Sequence, residues 1–317
     1  MVGANEKEKL MGRKLLTKED CVTVLVVAIT PRLPDLSLDL EGVRRNARYL
    51  RDHGVQVAMP ECGTGLVYDA TLAEYEAVVG TWMEAVGEVL LVVPGIGPGY
   101  GRALEMGHIA RSLGVPGVMI MPVVGPASAA GVEEGMCRIA QQVALPTVLY
   151  QRRLDLMPVD QVVRLCRLDE VVGLKYAVDD KAAFEKIAAQ ASQDAAMLCG
   201  MAEEPCLDYL ERGALGFSSG MANFVPRMSL ALLRAFQQGN SVEARRLRDL
   251  MVPFEDLRGE RGARYSGSAL HAAMEMAGLA GGPVIPFAED VAAEDLPRLR
   301  AIVEGLMREE QSLRKKG

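Results

Sequence analysis

The chain has 317 residues, half of them hydrophobic, and a formal net charge of −7. So much apolar material excludes a disordered chain and suffices for one large α/β domain or two smaller ones. The acidic balance argues against a nucleic-acid surface or an anionic-membrane anchor, and leaves room for a local basic pocket that takes a small anion.

Residues 1–20 form a charged leader without an apolar stretch long enough for a signal peptide. No later segment approaches ~18 uninterrupted apolar residues, so a cytoplasmic location is expected. Val22 to Ile29 reads as a strand, and Leu40, Val43, Ala47 and Leu50 then recur at helical spacing before a second strand around Val55 to Met59. Thr71 with Glu74 makes a capping box for a helix that carries Tyr75, Val78, Trp82 and Val86 on one face. A strand follows at Val89 to Val93.

The alternation continues with a helix at Ala103 to Leu113, a strand at Gly117 to Met121, a helix through Val132, Met136, Ile139 and Val143, and a strand that ends in Tyr150. Helix Val159 to Cys166 leads to a strand ending in Lys175, helix Lys181 to Ala191 to a strand at Ala196 to Cys199, and helix Pro205 to Arg212 to a strand at Leu215 to Phe217. Pro226 suits the first turn of the next helix, Met228 to Gln237. Roughly eight βα units in about 220 residues fit an α/β chain folded as a (β/α)8 TIM barrel better than an open doubly wound sheet.

The expected division is a leader at 1–20, the barrel at 21–239 and a C-terminal helical extension at 240–317. In the extension, Val242 to Leu257, Ser268 to Ala277 and Glu294 to Glu310 read as helices, and the basic end Arg314-Lys315-Lys316 as a solvated tail.

The clearest chemistry lies where two apolar runs stop. Lys175 ends Val171-Val172-Gly173-Leu174, and Tyr150 ends Pro146-Thr147-Val148-Leu149. A lysine amine is a nucleophile only when unprotonated, and partial burial beside a phenol favours that form while supplying a proton carrier, which points to a Schiff-base enzyme. Active sites of such barrels sit at the C-terminal ends of the strands, where Thr64, Tyr150, Lys175, Gly200 and Ser218 all fall.

His53, His108 and His271 lie on expected helices without a partner pattern, so neither a metal site nor a Ser-His-Asp system is expected. The six cysteines, Cys21, Cys62, Cys137, Cys166, Cys199 and Cys206, show neither metal-type spacing nor the dense framework of a small secreted domain, and read as reduced thiols.

The sequence resembles the dihydrodipicolinate synthase and N-acetylneuraminate lyase superfamily of class I aldolase-type barrels. The likeness rests on the order of Ile29-Thr30-Pro31, Cys62-Gly63-Thr64-Gly65, Leu149-Tyr150, Gly173-Leu174-Lys175 and Gly213-Ala214 leading to Ser218-Ser219. Gly63-Thr64-Gly65, Tyr150-Gln151-Arg152 and the run from Ser218 to Pro226 look most like the 5-dehydro-4-deoxyglucarate dehydratase branch. Two departures stand out. Spacing puts Val124 where the family places a relay tyrosine, and Tyr176-Ala177-Val178 replaces the branch's Asp-Gly-Val.

The resemblance implies an imine between Lys175 and a 2-oxo acid, with no metal or organic cofactor, and Tyr150 as proton shuttle. Gly63-Thr64-Gly65 would hold the 2-oxo carboxylate through backbone amides and a hydroxyl. Arg152 and Arg153 lie in one loop and are either solvated or able to take a distal carboxylate, with Arg152 the preferred fork for it; Ser218 and Ser219 would either touch a substrate hydroxyl or cap the backbone, and Gly200 completes the strand ends around the pocket. It further implies a homo-oligomer, tetramer or dimer. Three activities stay open: dehydration with or without decarboxylation, or aldol cleavage, of a sugar-acid derivative; condensation with pyruvate; or binding of 2-oxo acids without turnover.

Overall fold

A computed structural model describes residues 14–314. Most of the leader (residues 1–13) and Lys315-Lys316 of the basic end lie outside the described residues. Strands β1 (Val24–Val27), β2 (Val57–Met59), β3 (Leu91–Val92), β4 (Gly95–Ile96), β5 (Val118–Ile120), β6 (Thr147–Gln151), β7 (Val171–Tyr176), β8 (Ala196–Cys199) and β9 (Gly216–Ser219) alternate with helices for most of the chain. All nine join one parallel sheet in the order β3-β2-β1-β9-β8-β7-β6-β5-β4. Val-Leu-Val-Val of β1 is buried throughout, as expected of a parallel strand covered on both faces.

The intervening helices are α1 (Leu40–Asp52), α2 (Leu72–Val86), α3 (Tyr100–Ser112), α4 (Ala129–Val143), α5 (Val159–Cys166), α6 (Lys181–Ala191), α7 (Cys206–Leu210) and α8 (Pro226–Gln237). Helix α2 begins with the capping box read from Thr71 and Glu74. The Thr71 hydroxyl accepts from the Glu74 amide at 3.2 Å, and the Glu74 carboxylate accepts from the Thr71 amide at 2.9 Å. Pro226 takes the first turn of α8 as expected.

The strand expected at Val89 to Val93 is displaced and split. Proline has no N–H to give a ladder, so regular pairing is interrupted at Pro94 between β3 and β4. The segment still bonds on both sides: the Val93 amide donates to Ala58 O at 2.8 Å, and Pro94 O accepts from the Met119 amide at 2.9 Å. The two ends of the strand order are therefore consecutive parts of one extended segment, and the sheet is curled.

Three further helices follow: α9 (Ser241–Ala263), α10 (Ser268–Met276) and α11 (Leu296–Arg314). Helix α9 runs past the expected end at Leu257 and bends at Glu260, Arg261 and Gly262, whose backbone is not helical. Helix α11 is tied to α8 through the buried Glu310, whose carboxylate accepts from the Arg227 and Met228 amides at 3.1 and 3.0 Å. It thereby satisfies orphan donors at a helix start. Among the described residues no helix is long and apolar enough to cross a membrane.

Candidate active site

Tyr150 on β6 and Lys175 on β7 are register partners on adjacent parallel strands. Register partners leave the same face of a sheet, and the Lys175 Nζ accordingly stands 3.8 Å from the centroid of the Tyr150 ring. Lys175 is 6% and Tyr150 7% exposed, and both line one cavity.

That cavity, of about 410 Å³, also gathers Gly63, Thr64, Arg152, Gly200 and Ser218. Seven of the nine residues singled out from the sequence thus share one hollow. Three larger hollows, of about 510, 570 and 790 Å³, bring no tyrosine to a lysine. Gly200 has a steric reason to be glycine, since a Cβ there would come within 2.9 Å of the Lys175 Cγ and 2.8 Å of Tyr176 O.

The other two residues lie elsewhere. Gly65 sits beneath the cradle, where a Cβ would meet Ala28 O at 3.1 Å and Thr30 Oγ1 at 3.2 Å; it shapes the turn without lining the cavity. Ser219 takes the second of the two roles left open for it, capping the backbone, and does not line the cavity. Successive strand residues face opposite sides, so when Ser218 lines the cavity Ser219 turns away. Its hydroxyl donates to the buried Glu203 carboxylate, and it accepts from the Ala222 amide at 2.9 Å.

Several contributors were not read from the sequence. Tyr68, on the loop after β2, enters the cavity beside Arg152. Helix α9 supplies Glu255 and Arg258: both Glu255 oxygens accept from the Arg258 Nη1 at 2.9 Å, and the Arg258 guanidinium also donates to Ser266 O at 2.7 and 2.9 Å. The C-terminal helical region therefore walls the same cavity as the strand ends. Arg153 is held by Asp155, whereas Arg152 has no carboxylate partner among the described residues. Val124 lies in a separate hollow with Tyr100, Val123 and Pro126, which shares no residue with the Lys175 cavity.

Glu61, missed as well, is fully buried just ahead of Cys62-Gly63-Thr64. Its Oε1 accepts from Thr30 Oγ1 at 2.6 Å, and Oε2 has no partner. Burial pushes this carboxyl up to about 7 from an ordinary 4.5. The folded value lies above the unfolded one, so the contribution to stability is fully present below about 4.5 and is lost as the pH rises through about 7. Glu61→Gln is expected to gain on the parent protein between pH 5 and 8, by up to about 3 kcal/mol. Thermal melts of both proteins across that range check this, and parallel curves would assign the pH dependence elsewhere.

Two of the three histidines make structural contacts, and His108 is exposed on α3. The His271 Nδ1 meets the carbonyls of Gly281 and Gly282 at 3.0 and 3.2 Å, and the His53 Nδ1 meets Tyr49 O at 2.7 Å. Among the described residues no three His, Cys, Asp or Glu side chains are grouped to hold a metal ion. The six cysteines are all unpaired; burial pushes Cys62 and Cys199 up to about 12, which makes both inert thiols beside the site.

The profile of the dihydrodipicolinate synthetase family matches residues 20–305. The chain belongs to that family. Like its relatives it is a lyase, and the family chemistry is a lysine Schiff base. A probable 5-dehydro-4-deoxyglucarate dehydratase of Streptomyces coelicolor is 30% identical over 292 residues, covering 88% of this chain and 91% of that protein. A second protein of that name, from Streptomyces avermitilis, is 29% identical over 286 residues, 88% of this chain and 86% of its own. Among solved family structures, dihydrodipicolinate synthase from Oceanobacillus iheyensis superimposes with a TM-score of 0.86 at 29% identity, over 93% of this chain and 98% of that one.

Proposed function

We propose that this family member dehydrates a 2-oxo sugar diacid through an imine on Lys175. The observation that carries the reading is the Lys175 amine held 3.8 Å from the Tyr150 ring in a cavity whose mouth holds Arg152. The amine attacks the 2-oxo carbon and water leaves. The imine nitrogen takes the Tyr150 proton, and the resulting iminium is the electron sink for loss of a proton from the neighbouring carbon. Gly63 and Thr64 offer amides and a hydroxyl to the 2-oxo carboxylate, Ser218 a hydroxyl to the substrate chain, and Arg152 a planar fork to the far carboxylate. The sequence requires no metal or organic cofactor, because the iminium itself accepts the electrons.

The names of the two Streptomyces relatives support a 5-dehydro-4-deoxyglucarate-like substrate. To this reading belong a closed (β/α)8 barrel, with β3 and β4 as two halves of one strand, spanning 21–239 with the extension at 240–317. A homo-oligomer, dimer or tetramer, and a cytoplasmic location belong to it too; sedimentation and cell fractionation decide these two.

Turnover is the deciding assay. Loss of water from a 2-oxo sugar diacid is expected; consumption of pyruvate only with an aldehyde would favour the condensation, and a trapped imine without turnover of any substrate a binding barrel. Arg152→Ala is expected to raise KM for the diacid by a factor on the order of 10 to 100, equivalent to a lost charge-assisted contact of about 1.5 to 3 kcal/mol, and to leave the pyruvate imine almost untouched. Equal loss of diacid and pyruvate binding would make Arg152 a support of the site, and the diacid reading would lose its main residue.

A further inference from the structure

Elimination of water needs two proton carriers, one to take the proton from the carbon beside the imine and one to give a proton to the departing hydroxyl. Tyr150 stands against Lys175 and serves the first. A second carrier must be neutral and protonated at working pH, face the same cavity and stand off from the imine.

The cavity offers few candidates. Both Glu255 oxygens accept from the Arg258 guanidinium, so that side chain is committed to an ion pair within the cavity wall. Arg152, Arg258 and Lys175 are cations or the nucleophile itself, and the hydroxyls of Thr64 and Ser218 are too weakly acidic to protonate a leaving group efficiently. Tyr68 remains. It is half-buried in the cavity wall, and a Cβ at Gly63 would stand 3.9 Å from its hydroxyl, so the glycine leaves open the space in front of the phenol.

We propose that Tyr68 is the general acid of the dehydration, delivering its phenolic proton to the substrate hydroxyl expelled from the carbon two removed from the imine. This rests on the imine reading above. Burial pushes Tyr68 up to about 12, with the nearby Tyr150 adding to the rise and Arg152 opposing it. The phenol is thus fully protonated before the step, and the Arg152 charge stabilises the phenolate left after it.

The protons balance without any co-reactant. The Tyr150 phenolate, formed when the imine was protonated, takes the carbon-bound proton and an enamine forms. The enamine pair breaks the C–O bond, and the hydroxyl leaves as water with the Tyr68 proton. Tyr150 then returns its proton to the Tyr68 phenolate, and it is reprotonated in turn when water hydrolyses the unsaturated iminium, which breaks the bond to Lys175 and releases the product ketone and the free amine. No electron is gained or lost overall.

Three readouts of Tyr68→Phe test this. The first is kcat for the diacid, expected to fall about 100-fold or more with KM little changed. The second is exchange of the pyruvate methyl protons in deuterium oxide, which needs Lys175 and Tyr150 only and is expected to persist within about twofold. The third is an analogue with fluorine in place of the departing hydroxyl. Fluoride leaves without a proton, so parent and variant should eliminate it at similar rates.

Unchanged kcat overturns the proposal. So does a rise in KM alone, which would make Tyr68 a prop for Arg152, and so does parallel loss of exchange, which would place it on the imine side. Absence of exchange and of any imine in the parent protein would instead bring down the Lys175 reading and this one with it.

Discussion

Borohydride reduction in the presence of pyruvate or a longer 2-oxo acid is expected to label Lys175 and no other lysine, and Lys175→Ala to abolish both the label and turnover. The expected loss in kcat is on the order of 10,000-fold or more, because the variant keeps the cavity and loses the covalent route entirely. The structure explains the selectivity. Lys175 is buried against a phenol ring, whereas Lys181 is ion-paired with Asp208 on the surface and Lys186 lies exposed on α6. Peptide mapping by mass spectrometry reads the outcome. A label on Lys181 or Lys186, or none with any 2-oxo acid, would remove the imine mechanism.

Tyr150→Phe is expected to slow turnover by about 100-fold to 10,000-fold while leaving substrate affinity nearly as it was. The substitution keeps the ring that lies against the Lys175 amine and deletes only the proton carrier. Steady-state kinetics with the diacid, together with the deuterium-exchange assay, separate this from packing. Unchanged kcat would give Tyr150 a purely structural part, and loss of binding alone would make it a contact for the substrate. Tyr150→Phe and Tyr68→Phe should also differ in kind, the first stopping exchange and elimination, the second elimination only.

What the sequence determined by itself is whatever depends on local order. Parallel strands are buried on both faces and read as apolar runs, so where each run gives way to a polar residue its C-terminal end is visible. That is why Lys175 and Tyr150 could be picked out, and why most strands and helices, the capping box at Thr71 and the turn at Pro226 lie where the pattern put them. The ordered motifs around those ends were enough to indicate the family.

What only the tertiary structure decided depends on which segments meet. Register made Tyr150 and Lys175 neighbours, and the same alternation separated Ser218 from Ser219, a parity that a two-serine motif cannot reveal. Pro94 was plain in the sequence, yet that its segment bonds to β2 before it and β5 after it is settled only by the strands alongside. Tyr68 sits on an irregular loop, and Glu255 and Arg258 on a helix 80 or more residues beyond Lys175; no periodicity points any of them at a lysine. Their place in the cavity, like the burial that lifts Glu61, comes from long-range packing, which local pattern does not encode.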